Sequence, residues 1–257
     1  MNNVSNPVAL ITGSSRGIGA ACAVRLGTSG YRVVINYLNN RDAALEVAND
    51  IRNQGGIAEI CQADVGKQQG REILRNFTIE SFGSVDVLVN NAGITSQGRR
   101  DILEATEESW DLVFDTNLKG PFFLSQLIAK DMIGQQRVRP GVIININSIS
   151  SYAISNNRAD YCIAKTGLRT LTELFANRLA EENVLVYEVC PGVIASDMTA
   201  PVKEKYDNLI EQGLSPIKRW GTPDDVATAV RLLAKGELTF TTGQRINVDG
   251  GFHIRRL

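Results

Sequence analysis

Seven short β-branched runs separated by longer helical patterns predict an α/β fold: a doubly wound sheet of seven mainly parallel strands with helices on both faces. The runs Val-Ala-Leu-Ile, Arg-Val-Val-Ile and Val-Ile-Ile-Asn-Ile are apolar without strict alternation, the mark of strands covered on both sides. A glycine-rich turn leads directly from the first run into a helical pattern, as a sheet wound by strand-helix-strand units requires.

In chain order, strand Val8–Thr12 precedes helix Gly17–Ser29, and Arg32–Tyr37 precedes Asp42–Asn53. Ile57–Gln62 is followed by Lys67–Phe82, and Val85–Asn90 by one long helix over Glu107–Ile133. Strand Val142–Asn147 then leads to Arg158–Glu182, and Val184–Val189 to Pro223–Lys235, before a last strand at Gln244–Val248. Between Met198 and Trp220, Met198, Pro201, Val202, Tyr206 and Leu209 are apolar positions interleaved with charge, which suggests a helical flap. No linker, charge block or repeat divides residues 1–257, so one domain is expected.

Composition narrows the chemistry. Apolar residues form 43% of the chain and charged residues 21%, enough to bury a sizeable core. Lys and Arg total 27 against 28 Asp and Glu, a net charge of −1 that offers no footprint for nucleic acid or an anionic membrane. The single histidine, His253, excludes clustered histidine metal sites. Cys22, Cys61, Cys162 and Cys190 include no C-x-x-C pair, as suits reduced thiols, and no metal is expected. No apolar run approaches the roughly 20 residues of a membrane span, and the first residues lack the pattern of a signal peptide, so a cytoplasmic location is expected.

Thr12-Gly13-Ser14-Ser15-Arg16-Gly17-Ile18-Gly19 carries the first chemistry. Glycines at 13, 17 and 19 allow a tight turn, close approach of backbone to a pyrophosphate, and close helix–strand packing. The helix start adds free N–H groups and the positive end of a dipole. A P-loop would need Gly-Lys-Ser/Thr, which is absent. The second strand ends Asn36-Tyr37-Leu38 without the acid that would bind an NAD ribose. A 2′-phosphate meets no repulsion there, and Arg16 can attract it; both favour NADP(H), with NAD(H) possible. Arg41 is a second candidate cation, or simply a solvated residue at a helix start.

Tyr161 and Lys165 lie four apart on a predicted helix and so share a face. A phenol with pKa near 10 is a poor acid or base at neutral pH. An ammonium about 5 Å away is worth about 3 kcal/mol at an effective dielectric near 20, so Lys165 is expected to lower the pKa of Tyr161 by about two units. Ser148, at the end of a buried strand, can converge with Tyr161 on one carbonyl.

These residues together resemble the short-chain dehydrogenase/reductase family, over essentially the whole chain. Thr12-Gly13-x-x-x-Gly17-Ile18-Gly19 looks like its cofactor turn and Asn90-Asn91-Ala92-Gly93 like its second signature. Asn117, Ser148, Tyr161 and Lys165 fall where the family has its catalytic tetrad, and Pro191-Gly192 resembles its nicotinamide-side loop. The resemblance implies a Rossmann-type NAD(P)-binding domain and reversible reduction of a carbonyl to an alcohol. Tyr161 would act as acid and base, Ser148 as orienting donor, and Lys165 as ribose contact. Asn117 would position a water that links Lys165 to solvent.

Further cofactor contacts implied are Ser15, Tyr37, Asp64 and Val65 at the adenosine end, and Asn91, Ala92 and Gly93 near the ribose. Pro191, Gly192, Ile194 and Ser196 would lie at the nicotinamide end. Asp64 could instead cap the next helix, and Asn90 is expected to tie strands together.

The branch most resembled is that of the 3-oxoacyl-acyl-carrier-protein reductases, through Pro191-Gly192-Val193-Ile194-x-Ser196-Asp197-Met198-Thr199 and Asn247-Val248-Asp249-Gly250-Gly251. Arg139 suits docking of an acidic carrier protein, whereas Glu181-Glu182 would repel one. Sugar or polyol oxidation, and a non-catalytic dinucleotide-binding regulator, are the alternatives. A homotetramer is expected through the helices Glu107–Ile133 and Arg158–Glu182, where Ile163, Leu168, Leu171, Leu174, Phe175 and Leu179 exceed what one sheet face needs. The tail Gly251–Leu257 is expected to join that interface.

Overall fold

A computed structural model of the chain describes residues 6–135 and 139–255. Strands β1 (Val8–Ile11), β2 (Arg32–Tyr37), β3 (Ile57–Gln62), β4 (Val87–Asn90), β5 (Gly141–Ile146), β6 (Val184–Pro191) and β7 (Gln244–Val248) form one sheet. Their spatial order is β3-β2-β1-β4-β5-β6-β7 and every neighbouring pair is parallel. The helices are α1 (Gly17–Gly27), α2 (Arg41–Asn53), α3 (Gln68–Phe82), α4 (Glu107–Phe114), α5 (Gly120–Met132), α6 (Ala159–Leu179), α7 (Lys203–Glu211) and α8 (Pro223–Ala234).

Successive side chains on β1 enter opposite layers. Ala9 and Ile11 join a core with Leu26 of α1, Ile51 of α2 and Val230 of α8. Leu10 joins a second core with Leu74 of α3, Leu124 and Ile128 of α5 and Leu179 of α6. Both faces of the strand are therefore apolar, which is why its sequence does not alternate. Strand order reverses between β1 and β4, so a crevice opens at the carboxyl ends of those two strands, where open sheets of this kind bind ligands.

The single helix expected over Glu107–Ile133 is instead two, α4 and α5, joined by a π-helical turn at Asp115–Lys119. Pro121 supplies no N–H, so the carbonyl of Asn117 loses the donor a regular helix would give it. The Gly120 N–H reaches back five residues to the Asp115 carbonyl. Asn117 is buried in this turn, and its amide pairs with the backbone of Ile94, donating to the carbonyl and accepting from the N–H, each at 2.8 Å.

Smaller differences lie at strand ends. β6 runs on to Pro191, which pairs with Val248, and β4 starts two residues later than expected, at Val87. The flap is one helix, α7, entered by a 3₁₀ turn at Ala200–Val202. It is held by Trp220, whose indole donates to Asp207 at 2.7 Å and meets the Tyr206 ring edge-on at 6.0 Å. No helix among the described residues is long and apolar enough to cross a membrane.

Candidate active site

The glycine turn is held in shape from β2. Asn36 accepts the Gly13 N–H at 3.0 Å and donates to the Ala63 carbonyl at 3.0 Å, while Ser14 and Asn36 exchange two further bonds. Gly13 has φ +59°, and a Cβ there would meet the Ala92 backbone at 2.9 Å. Gly19 presses on Asn91, and a Cβ would come within 2.4 Å of that amide. Gly17 is different: its φ is +56°, yet a Cβ would meet nothing within 4 Å. Two glycines thus serve packing, and the third leaves backbone open over the start of α1, whose first N–H groups have no partner within a regular helix and could receive an anion. Ile18 packs against the first core, and Ser15 and Arg16 stand beside that open backbone. Arg16 has a side chain 77% exposed, and its one ion-pair contact is at 3.5 Å to Asp197, itself 78% exposed.

The second loop is tied to the first across the reversal of strand order. Thr12 Oγ1 accepts the N–H groups of Asn91 and Ala92, both at 2.9 Å, and the Asn91 amide donates to the Thr12 and Gly13 carbonyls. Gly93 lies where a Cβ would be 3.3 Å from Asn117 Oδ1, so the loop also touches the π turn. Asn90 does link strands: it donates to Asn145 of β5 at 2.8 Å and to Ser125 of α5 at 2.9 Å.

At the end of β5, Ser148 accepts the Ser150 N–H at 3.0 Å and is hydrogen-bonded to Tyr161. Tyr161 and Lys165, one turn apart on α6, are both buried. The Lys165 ammonium donates to the Ile146 carbonyl at 2.8 Å and lies 5.7 Å from the centre of the Tyr161 ring. With one of its three N–H donors used there, the ammonium retains two. Burial brings the Lys165 pKa down to about 8, opposed by Cys190 and Glu188.

The expected lowering of the Tyr161 pKa by Lys165 is not found. Burial holds the phenol above its ordinary value, and the opposing influences are the Ser148 hydrogen bond and the charges of Arg158 and Arg99. Desolvation outweighs the cations because the phenolate would lose its water in the interior.

The remaining residues spread around the crevice. Asp64 does not cap α3, which starts after Lys67; it accepts the N–H of Gly66 at 2.9 Å in a tight local turn. Val65 is buried, and its carbonyl accepts from Arg71 at 2.8 Å. Tyr37 is buried in the first core. Pro191 and Gly192 lie against β7, where a Cβ on Gly192 would strike Asp249 at 2.7 Å. The Ile194 carbonyl accepts the Thr199 hydroxyl at 2.7 Å, and that hydroxyl also accepts the Ser196 N–H at 3.0 Å.

Sequence reasoning missed Asn36 as the staple of the glycine turn. It missed Asp160, buried and accepting from Ser109 at 2.6 Å, and Glu188, buried between Asn147 and Arg245. An asparagine or carboxylate inside an apolar strand or beside Tyr161 was the available signal, since such groups are buried only with partners.

Residues 13–253 match the protein family described as Enoyl-(Acyl carrier protein) reductase. The chain is 39% identical over 251 residues to the 3-oxoacyl-[acyl-carrier-protein] reductase FabG of Staphylococcus epidermidis, covering 97% of this chain and all of that protein. A 3-oxoacyl-[acyl-carrier protein] reductase from Brucella melitensis, solved in complex with NAD, superposes with a TM-score of 0.94 at 40% identity, covering 98% of this chain and 99% of that one. The angucycline C-6 ketoreductase LanV, solved with bound NADP, gives 0.85 at 31% identity, covering 96% and 95%. With a parallel sheet of the same shape, a glycine turn open at Gly17 and Ser148, Tyr161 and Lys165 gathered at its edge, the chain belongs to the short-chain dehydrogenase/reductase family, oxidoreductases that act on a carbonyl/hydroxyl pair.

Proposed function

We propose that residues 1–257 act as one catalytic domain that reduces a ketone to a secondary alcohol, reversibly, with NADP(H) preferred over NAD(H). The observation that carries this reading is the buried Tyr161 hydroxyl, hydrogen-bonded to Ser148 one helical turn from the Lys165 ammonium. The coenzyme would supply or accept the hydride.

In reduction, Tyr161 delivers its proton to the carbonyl oxygen, and in oxidation it takes the proton of the alcohol. Ser148 donates to the same oxygen and fixes its direction. Lys165 holds the ribose hydroxyls, and the carbonyl of Asn117, released from the helical ladder by Pro121, holds a water that passes protons toward Lys165. Gly13, Ser15, Arg16, Gly17, Ile18 and Gly19 receive the phosphates. Tyr37, Asp64 and Val65 flank the adenine, with Asn91, Ala92 and Gly93 along its ribose. Pro191, Gly192, Ile194 and Ser196 border the nicotinamide.

The preference for NADP(H) rests on β2 ending without an acid and on Arg16, whose exposed contact with Asp197 is weak enough to exchange for a 2′-phosphate. A 3-oxoacyl-type substrate is favoured by the relatives' activity. Glu181 and Glu182 at the end of the active-site helix speak against delivery by an acidic carrier protein.

Homotetramer formation belongs to the same reading. Leu168, Leu171 and Leu179 of α6 are buried, whereas Ile163 and Leu174 remain 47% and 60% exposed. Light scattering that gave a mass near one chain would refute it. The tail can contribute through Phe252 and Ile254; Arg256 and Leu257 lie outside the described residues.

The deciding experiment follows NADPH and NADH absorbance at 340 nm against 3-oxoesters, simple ketones and sugars. Consumption of coenzyme with a ketone is expected. Coenzyme binding without turnover across the panel would instead indicate a regulator.

A further inference from the structure

Two cations beside the reacting hydroxyl lack an acidic partner. Arg158 comes just before α6 and sets its guanidinium carbon 5.6 Å from the centre of the Tyr161 ring. Arg99, in the segment after β4, donates to the Met198 carbonyl at 2.9 Å and so spans the mouth of the site to the start of the flap. Both are half-buried, and among the described residues neither forms an ion pair. Their charges both act on Tyr161.

Neither position is favourable for stability alone. A cation just ahead of a helix opposes the positive end of the helix dipole. Arg99 adopts φ +47°, a conformation that side chains avoid.

The surroundings hold it there nonetheless. Asp160 accepts from Ser96, from Ser109 at 2.6 Å and from the Tyr161 N–H at 2.8 Å, while Ser109 Oγ accepts the Gln97 N–H at 3.0 Å. The loop that carries Arg99 is thereby pinned to the helix that carries Tyr161. The adjacent Arg100, by contrast, is exposed and lies toward Glu108.

We propose that Arg99 and Arg158 form a carboxylate-recognition pair, and that the compound reduced beside Tyr161 is a short oxo acid with its carboxylate a few atoms from the reacting carbonyl. A guanidinium offers two parallel N–H donors that match a carboxylate, and with Arg158 5.6 Å from the centre of the Tyr161 ring and Arg99 at the mouth of the site the two would hold the charge while Tyr161 meets the carbonyl. This deepens the reductase reading above and rests on it.

The test compares kcat/KM for acetoacetate and its methyl ester at saturating coenzyme, in the native chain and in Arg99→Gln, Arg158→Gln and the double variant. The native chain is expected to favour the acid at least tenfold, and the double variant to lower the acid-to-ester ratio at least tenfold. Arg158→Lys, which keeps the charge without the fork, should fall between. A native ratio near one, or a ratio the variants leave in place, overturns the proposal. So does a preference for dihydroxyacetone phosphate over acetoacetate that the same variants abolish, since the pair would then recognise a phosphate.

Should neither compound be reduced with either coenzyme, calorimetric titration of acetoacetate into the NADP⁺-loaded chain separates the two claims. Binding that the double variant weakens tenfold sustains the anion pair while the reductase reading falls. No binding removes both.

Discussion

The ammonium of Lys165 donates to the backbone carbonyl of Ile146 at 2.8 Å, fastening the active-site helix to the last residue of β5. The bond fixes the lysine in a buried position, and the burial makes its proton easier to lose. Its charged form is therefore present below about pH 8 and lost above it. The expected consequence is a kcat/KM for NADPH-driven reduction that declines above about pH 8. A profile flat to pH 10 would show that the charge of Lys165 is not needed.

Tyr161 follows the opposite sign. Burial raises its pKa, so the phenol keeps its proton at neutral pH; in the proposed mechanism it then serves as the acid of reduction, whereas oxidation would need the phenolate. Alcohol oxidation should therefore rise with pH over the range in which reduction does not. Tyr161→Phe should lose at least about 10²-fold in turnover while coenzyme affinity changes only a few-fold. Near-normal turnover in steady-state assays would contradict the role.

Arg16 is the residue proposed to separate the two coenzymes. Arg16→Ala should raise KM for NADPH more than for NADH, because only the former has a 2′-phosphate to lose contact with. Parallel titrations with both coenzymes check this, and equal losses would leave the preference without its cause.

Arg245 tests the buried charge of β6. Its guanidinium lies against Glu188, whose other carboxylate oxygen accepts from Asn147 at 2.8 Å, and its planar group covers the Tyr152 ring at 4.8 Å. Arg245→Met would leave that carboxylate buried without its cation and should cost about 3 kcal/mol in urea unfolding. Glu188→Gln with Arg245→Met should recover part of the loss.

The layering of this fold was legible in the chain because burial on both sheet faces leaves a run such as Val-Ala-Leu-Ile without polar positions, whatever the partners. The glycine turn and the Tyr161–Lys165 spacing were legible for the same reason, since both are local: φ above zero and one helical turn need no tertiary knowledge. Of the break in the helix at Asp115–Lys119, the sequence carried one sign, Pro121; that the Asn117 amide would pair with the backbone of Ile94, a residue in another loop, was hidden. So was the balance at Tyr161. Spacing gives the distance to a lysine, but only packing decides how much water the phenolate would lose, and here that loss outweighs the nearby cations. Sequence alone pointed to the glycine turn and to Ser148, Tyr161 and Lys165 beside the carboxyl edge of the sheet. The tertiary structure decided their ionisation and pinned the loop of Arg99 to the helix start beside Arg158, far from it in the chain, because desolvation and long-range charge depend on what folds against a residue rather than on what precedes it.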